Sequence, residues 1–489
     1  MPSLEYYFTD LAQQYIGGEW RPGTGSWDII DFNPYDGEKL ASITIATVDE
    51  VDEAYRAAAA AQKEWAATNP YARRTVFEKA LRIVEDREPE IAAAIIAELG
   101  GTHLKAGFEL HLAKEFLRES IRLALIPEGQ IVPSPVEGKE NRVYRVPVGV
   151  VGVISPFNFP FLLSLKSVAP ALALGNGVVL KPHQDTPVVG GSLVAKIFED
   201  AGLPPGLLNV VITDIAEIGD AFIEHPVPKV ISFTGSDAVG RHVAAVCAPL
   251  FKNVVLELGG NSALVVLEDA DIDYAVDAAV FSRYVHQGQV CMAANRVLVD
   301  RSIAAEFTEK FVAKVRSLKA GDPSDPSTVI GPVINSSQAE AISGVVRRAL
   351  EEGATALLHG TTTDNLVEPS VLTDLPADSP LLQQEIFGPV ALLVPFDGED
   401  EAVRLVNNTP YGLSGAVHTA DVERGIAFAR QIDTGMFHVN DGTVHDEPLV
   451  AFGGEKSSGI GRLNGEATVE AFTTRKWISV QHGRSLFPF

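Results

Sequence analysis

From Val146 onward, short β-branched runs alternate with helical stretches, and that alternation narrows what the chain can become more than any other feature. Val148–Ile154, Val178–Leu180, Leu208–Ile212, Lys229–Phe233 and Val254–Glu257 read as strands. Phe161–Leu174, Val188–Ala201, Ala216–Glu224 and Val239–Ala248 lie between them and read as helices. Strand and helix at this spacing predict a parallel sheet with crossover helices, hence an α/β fold. A second alternating region starts near Ser262, with helices at Ile272–Tyr284 and Ala304–Leu318, a strand at Arg296–Val299, and further helices at Glu340–Glu352 and Asp400–Asn407.

Upstream, Tyr15–Ser42 reads as small strands and turns. Helices are predicted at Asp49–Trp65, at Arg73–Leu99 up to the Gly100-Gly101 stop, and at Thr102–Leu125. Pro127–Arg145 changes character, with Pro133, Pro135 and Gly138 preceding strand-spaced Val143 and Tyr144. It reads as a hairpin or arm. At 489 residues the chain is too long for one core.

Charge and cysteine content exclude several classes. With 39 Lys and Arg against 64 Asp and Glu, the net charge is −25. Such a surface repels phosphate backbones and anionic lipid, so no nucleic-acid or membrane partner is expected. A well-solvated acidic surface explains the bias, and adaptation to high salt fits it too. Cys247 and Cys291 are the only cysteines, too few for a secreted disulfide framework. Met1–Asp10 carries Glu5 and Asp10 without the basic-then-apolar pattern of a signal peptide. The expected location is cytoplasmic.

Taken singly, the polar residues read two ways. Cys291, between a helix and a strand, is either a buried small hydrophobe or a nucleophile; Cys247 sits on an apolar helical face and fits the first. Glu257 closes an apolar strand before Gly259-Gly260. It is either a solvated strand end or a carboxylate whose burial would raise its pKa for general-base work. Asn158, between Pro156 and Pro160, is a turn residue or an oxyanion donor. Gly235–Gly240 follows a strand and opens a helix, a context that suits phosphate binding, although it matches no standard phosphate loop. Lys181 at a strand end can reach ribose or phosphate. The 11 histidines are scattered, and no metal is predicted.

Together and in order, these pieces resemble the aldehyde dehydrogenase superfamily. The matching segments are Ser155–Pro160, Lys181-Pro182, Phe233–Ser236, Leu256–Gly260, Gly288–Cys291, Glu385–Pro389 and Phe452–Gly454. The resemblance implies a Rossmann-type cofactor domain (1–125 and 147–257), an α/β catalytic domain (258–460) and a β oligomerisation arm (126–146 and 461–489). It implies NAD or NADP as cofactor and a homodimer or homotetramer. Cys291 would attack the aldehyde, Asn158 would stabilise the oxyanion, and Glu257 would activate the hydrolytic water. The implied cofactor residues are Ile154, Ser155, Pro156, Phe157, Lys181, Gln184, Gly219, Phe233, Gly235, Ser236, Leu258, Glu385 and Phe387.

Two positions depart from the family pattern. Phe157 stands where Trp is usual, which keeps an aromatic. Gln184 stands where a glutamate commonly excludes a 2′-phosphate, which implies weakened discrimination against NADP. The runs from Lys181 to Gly191 and from His438 to Pro448 look most like benzaldehyde, vanillin and salicylaldehyde dehydrogenases. An aromatic substrate is expected, in a pocket of Phe159, Leu162, Leu163, Val285 and Phe452, with Lys166 near enough to meet a substrate carboxylate or phenolate. Aliphatic aldehydes and semialdehydes stay open. A CoA-acylating enzyme would waste its thioester beside Glu257, and a non-catalytic binding protein would have no use for both Cys291 and Glu257.

Overall fold

A computed structural model describes residues 4–126 and 128–489. Pro127, where the arm was expected to begin, lies outside them, as does the start of the N-terminal stretch. The predicted alternation becomes an eight-stranded sheet. Its five central strands are parallel, in the spatial order Leu208–Val210, Gly177–Lys181, Val150–Ile154, Val230–Thr234, Asn253–Glu257. In chain order this reads third, second, first, fourth, fifth. The order therefore reverses between Val150–Ile154 and Val230–Thr234, which opens a crevice at the carboxyl ends of the strands. Register lines up the groups there: Lys181 lies beside Ile154, Phe233 beside Ile154, and Thr234 beside Glu257.

Both edges of this sheet are closed by antiparallel strands. Gln14–Ile16 pairs with the Leu208–Val210 strand, and Gly459–Ile460 pairs with Asn253–Glu257. The latter pair lies near the end of the predicted catalytic segment yet joins the first sheet, because a bare edge beside Glu257 would leave backbone groups unpaired. A second sheet of seven strands runs Thr355–Leu358, Ser370–Thr373, Val390–Phe396, Ala294–Asp300, Ser262–Val266, Gly415–His418, His438–Val439. It is parallel except for the first pair. The arm is a three-stranded antiparallel sheet of Gly129–Val132, Lys139–Pro147 and Thr473–Gln481.

The helix Pro160–Ala173 is the keystone of the first unit. Nearly all its side chains are buried, as expected for a helix apolar on every face. Deleting a core side chain such as Leu165 would cost about 2–5 kcal/mol. Pro160 starts it, where a missing N–H does no harm. Glu109, on the neighbouring helix His103–Leu123, accepts hydrogen bonds from the Phe161 and Leu162 N–H groups at 2.9 and 3.1 Å. That carboxylate, paired with Lys105, satisfies the free donors of the first turn.

Three predicted helices are each interrupted. Arg73–Leu99 divides into Pro70–Asp86 and Glu88–Leu99, because Pro89 cannot donate into a continuous ladder. Val188–Ala201 begins with a π-helical turn, Val188–Ser192, anchored by Glu98, which accepts from the Val188 and Val189 N–H groups at 2.7 and 2.8 Å. Ala216–Glu224 breaks at Gly219, whose φ of +51° ends the first short helix.

Candidate active site

Two cavities meet at Cys291. The first is a groove of about 550 Å³ along the carboxyl ends of the central strands. Ile154, Ser155, Pro156, Phe157, Lys181, Gln184, Gly219, Phe233, Gly235, Ser236, Glu385 and Phe387 all line it, as do Asn158 and Cys291. Of the cofactor residues expected from sequence, only Leu258 stands outside. Its side chain packs under the helix Asp237–Cys247, where a Cβ on Gly240 would come within 2.5 Å of it. Leu258 thus holds that helix against the strand and does not face the groove.

The groove has the chemistry of a dinucleotide site. Ser236 caps the helix Asp237–Cys247, and its Oγ accepts from the Val239 N–H at 3.4 Å. The positive end of this helix therefore faces the cavity and suits a pyrophosphate. The tip of the Phe233 ring reaches Gly235, where a Cβ would meet its Cζ at 2.4 Å. Burial lowers the Lys181 pKa, and Asp214 opposes that shift. Across the groove, the half-buried Glu385 accepts from the Gly260 N–H at 3.0 Å. Burial pushes it up to about 7, against the pull of that N–H. A Cβ on Gly259 would fall 2.5 Å from Glu385, and one on Gly260 would fall 2.3 Å from the Cys291 carbonyl oxygen. The Gly-Gly pair is therefore needed for close approach and not for an unusual φ. Phe157 meets Phe387 and His183 edge-on, with centroids 5.8 and 5.3 Å apart.

The second cavity is narrow and apolar. Phe108, Leu112, Phe159, Leu162, Leu163, Met292, Val444, Phe452 and Leu463 wall it, and Asn158, Lys166, Glu257, Cys291 and Asp446 supply its polar groups. Four of the five expected pocket residues are present. Val285 is not: it caps the helix Ile272–Tyr284 and is buried in the core behind the cavity. The sequence reading missed Phe108 and Leu112, one helical turn apart on His103–Leu123. Their i, i+4 spacing was visible, but nothing local says which face of that helix meets the site. Lys166 lies on the wall as expected but is already paired with Asp446 at 2.6 Å.

Glu257 is buried and neither carboxylate oxygen has a hydrogen-bond partner among the described residues. Burial pushes its pKa up to about 8; Lys166 pulls it down and Asp446 pushes it up. Gly453 leaves room for it, since a Cβ there would sit 3.0 Å from Glu257 Oε1. Cys291 opens onto both cavities yet lies deep in the protein. Burial, then Glu385 and Glu257, hold its thiol up to about 12, against Lys166. The Asn158 amide donates one N–H to the Gln289 carbonyl at 2.9 Å, which fixes the plane of the side chain and leaves a second N–H. Among the described residues, the Cys291 N–H donates to no protein acceptor. The loop before Cys291 holds three successive left-handed residues, His286, Gln287 and Gly288, at φ of 50°, 55° and 73°. Gln287 anchors it to the Pro332 carbonyl at 2.7 Å, and the buried Arg283 donates to the Gly288 and Ile386 carbonyls. Cys247 is buried on its helix, far along the chain from this chemistry.

The described residues hold no cluster suited to a metal ion and no helix long and apolar enough to cross a membrane.

Comparison with known proteins agrees with this geometry. The profile of the aldehyde dehydrogenase family matches residues 20–478. The chain is 57% identical to benzaldehyde dehydrogenase YfmT of Bacillus subtilis (strain 168), covering 99% of this chain and all of that one. It is 48% identical to a vanillin dehydrogenase of Corynebacterium glutamicum, covering 96% and 98%. Its fold superposes on the crystal structure of an NAD-dependent benzaldehyde dehydrogenase from Corynebacterium glutamicum with a TM-score of 0.89, at 45% identity and covering 96% and 98%.

Proposed function

Because the chain belongs to the aldehyde dehydrogenase family, we propose that it oxidises an aromatic aldehyde to the carboxylic acid with NAD, and also NADP, as hydride acceptor. The observation that carries this reading is the apolar, ring-walled cavity that ends on Cys291 beside an unpaired buried carboxylate. Flat apolar walls suit an aromatic ring, and few polar groups orient it.

In this reading Cys291 Sγ adds to the carbonyl carbon and the carbonyl oxygen takes the negative charge. The free Asn158 N–H and the Cys291 backbone N–H donate to that oxygen. The thiol proton leaves as the carbon–sulfur bond forms. That proton passes to bulk water, so the Glu257 carboxylate, which has no partner among the described residues, stays free for the hydrolytic step. When bound in the groove, the oxidised nicotinamide supplies the hydride acceptor that turns the thiohemiacetal into a thioester. Glu257 then takes a proton from water, the hydroxide adds to the thioester, the carbon–sulfur bond breaks, and the acid departs. Lys181 and Glu385 suit the two riboses, and Ser236 at its helix terminus suits the pyrophosphate. Gln184 puts an amide where a carboxylate would repel a 2′-phosphate.

A cytoplasmic setting suits the free thiol, since reducing conditions protect it. The arm suits a homodimer or homotetramer, because Ile131 and Trp477 on its strands are exposed at 72% and 64%. The test is the rate of nicotinamide reduction with benzaldehyde, an aliphatic aldehyde and succinate semialdehyde, each with NAD and NADP. Fast turnover of benzaldehyde is expected. Turnover of the aliphatic substrates alone would overturn the aromatic assignment, and no NADP turnover at all would overturn the dual-cofactor one.

A further inference from the structure

Among the described residues, Lys166 is the one cationic side chain lining a pocket walled mainly by rings and branched chains. Its side chain is 2% exposed, and the carboxylate of Asp446 beside it 5%. Burying such a pair costs more in lost hydration than apolar residues of equal size would. The ammonium lies 3.5 Å from the centroid of the Phe452 ring and 5.3 Å from that of Phe116, so two aromatic faces and one carboxylate hold it in place. An ammonium has three N–H donors. Among the described residues Asp446 is the only hydrogen-bond acceptor it meets.

The pair is oriented. Asp446 is fixed from its other side by Asn464, whose amide donates to Oδ1 at 2.8 Å. Asp446 lines both the narrow pocket and a wider vestibule outside it, whereas Lys166 lines only the pocket. The carboxylate thus stands at the doorway and the ammonium inside, on the same wall as Phe452. A ring stacked along that wall brings its substituents within reach of donors that no protein oxygen occupies.

We propose that Lys166 determines specificity: its ammonium donates to an oxygen substituent on the ring of the aldehyde, and Asp446 fixes its place and balances its charge. This rests on the aromatic reading above. A structural strut would support all substrates alike; a specificity residue separates them by what the ring carries.

The experiment is kcat and KM for benzaldehyde, 4-methylbenzaldehyde, the three hydroxybenzaldehyde isomers and 4-carboxybenzaldehyde. It uses the intact protein, Lys166→Met and Asp446→Asn, with melting curves to report folding. The intact protein is expected to prefer at least one hydroxy isomer over the methyl analogue by about tenfold in kcat/KM, as for a hydrogen bond to a charged donor. Lys166→Met is expected to bring that ratio to within about twofold of unity. Asp446→Asn keeps the donor and removes the balancing charge, so the 4-carboxybenzaldehyde to benzaldehyde ratio should rise about tenfold. This second shift decides the matter if Lys166→Met does not fold. Equal hydroxy and methyl rates in the intact protein, or ratios unmoved in both variants, would overturn the proposal and leave the aromatic reading intact. An intact protein that oxidises aliphatic but no aromatic aldehydes would overturn both, starting with the aromatic reading.

Discussion

The groove and the pocket meet at Cys291 and are built in different ways. The groove is made of strand ends. Lys181, Ile154 and Phe233 stand in register on adjacent parallel strands, with Thr234 one residue on, so backbone pairing alone puts them in line. The pocket is made of helix faces and loops that the chain brings together from distant places: Phe108 and Leu112, Leu162 to Lys166, Val444 to Phe452, and Leu463. Sheet register fixes the first, while packing of side chains shapes the second. One fold can thus keep its cofactor face and change its substrate face by altering single side chains.

Substitutions at the junction should break both faces at once. Cys291→Ala is expected to abolish aldehyde oxidation while cofactor binding, read by nicotinamide fluorescence, persists. Glu257→Gln should lower kcat by roughly 10²–10⁴. Its specific mark is a burst of one equivalent of reduced nicotinamide before a slow steady state, since the thioester forms but water is not activated. In the intact protein kcat should rise with pH as Glu257 ionises near about 8, and the rise should be absent in the variant. A flat profile in the intact protein would remove Glu257 from the role of base. Asn158→Ala should cost about 10²–10³ in kcat with little change in KM.

Two smaller effects test the faces separately. Gln184→Glu is expected to raise the NAD to NADP preference about tenfold, a difference of about 1.4 kcal/mol, without moving the aldehyde KM. A parallel change in aldehyde KM would mean that the faces are not independent. The last is a stability effect. The Glu257 pKa in the fold stands above its ordinary value of 4.5. Its contribution to stability is therefore complete below about 4.5 and lost as pH rises through about 8. Melting temperatures of the intact protein should fall over that upper range relative to Glu257→Gln.

The same contrast explains what could be read from the sequence. The strands, their order of chemistry and the groove residues were legible, because each motif is local: a strand, then the turn that follows it. Lys181, Gly235, Glu257 and Cys291 all sit at such ends. Leu258 was misread because alternation along a strand end puts it on the opposite side from Glu257, under the helix. Val285 was misread because its distance from Cys291 along the chain is short, but the left-handed run His286–Gly288 turns the chain between them. Phe108 and Leu112 were missed because a helix face gains its role only from what it packs against. The Lys166–Asp446 pair joins residues 280 apart, a contact no local pattern encodes.

The short strand Gly459–Ile460 has a consequence for synthesis. It seals the free edge beside Glu257, and the arm strand Lys139–Pro147 finds its second partner, beside Gly129–Val132, in Thr473–Gln481. A chain emerging from the ribosome exposes its amino-terminal portions first. The central strands, the nucleophile and the base are all made before these two later strands. The nascent molecule therefore carries two open sheet edges until Gly459–Ile460 and Thr473–Gln481 are made. Protection of both edges from sticking to other nascent chains waits for these two strands.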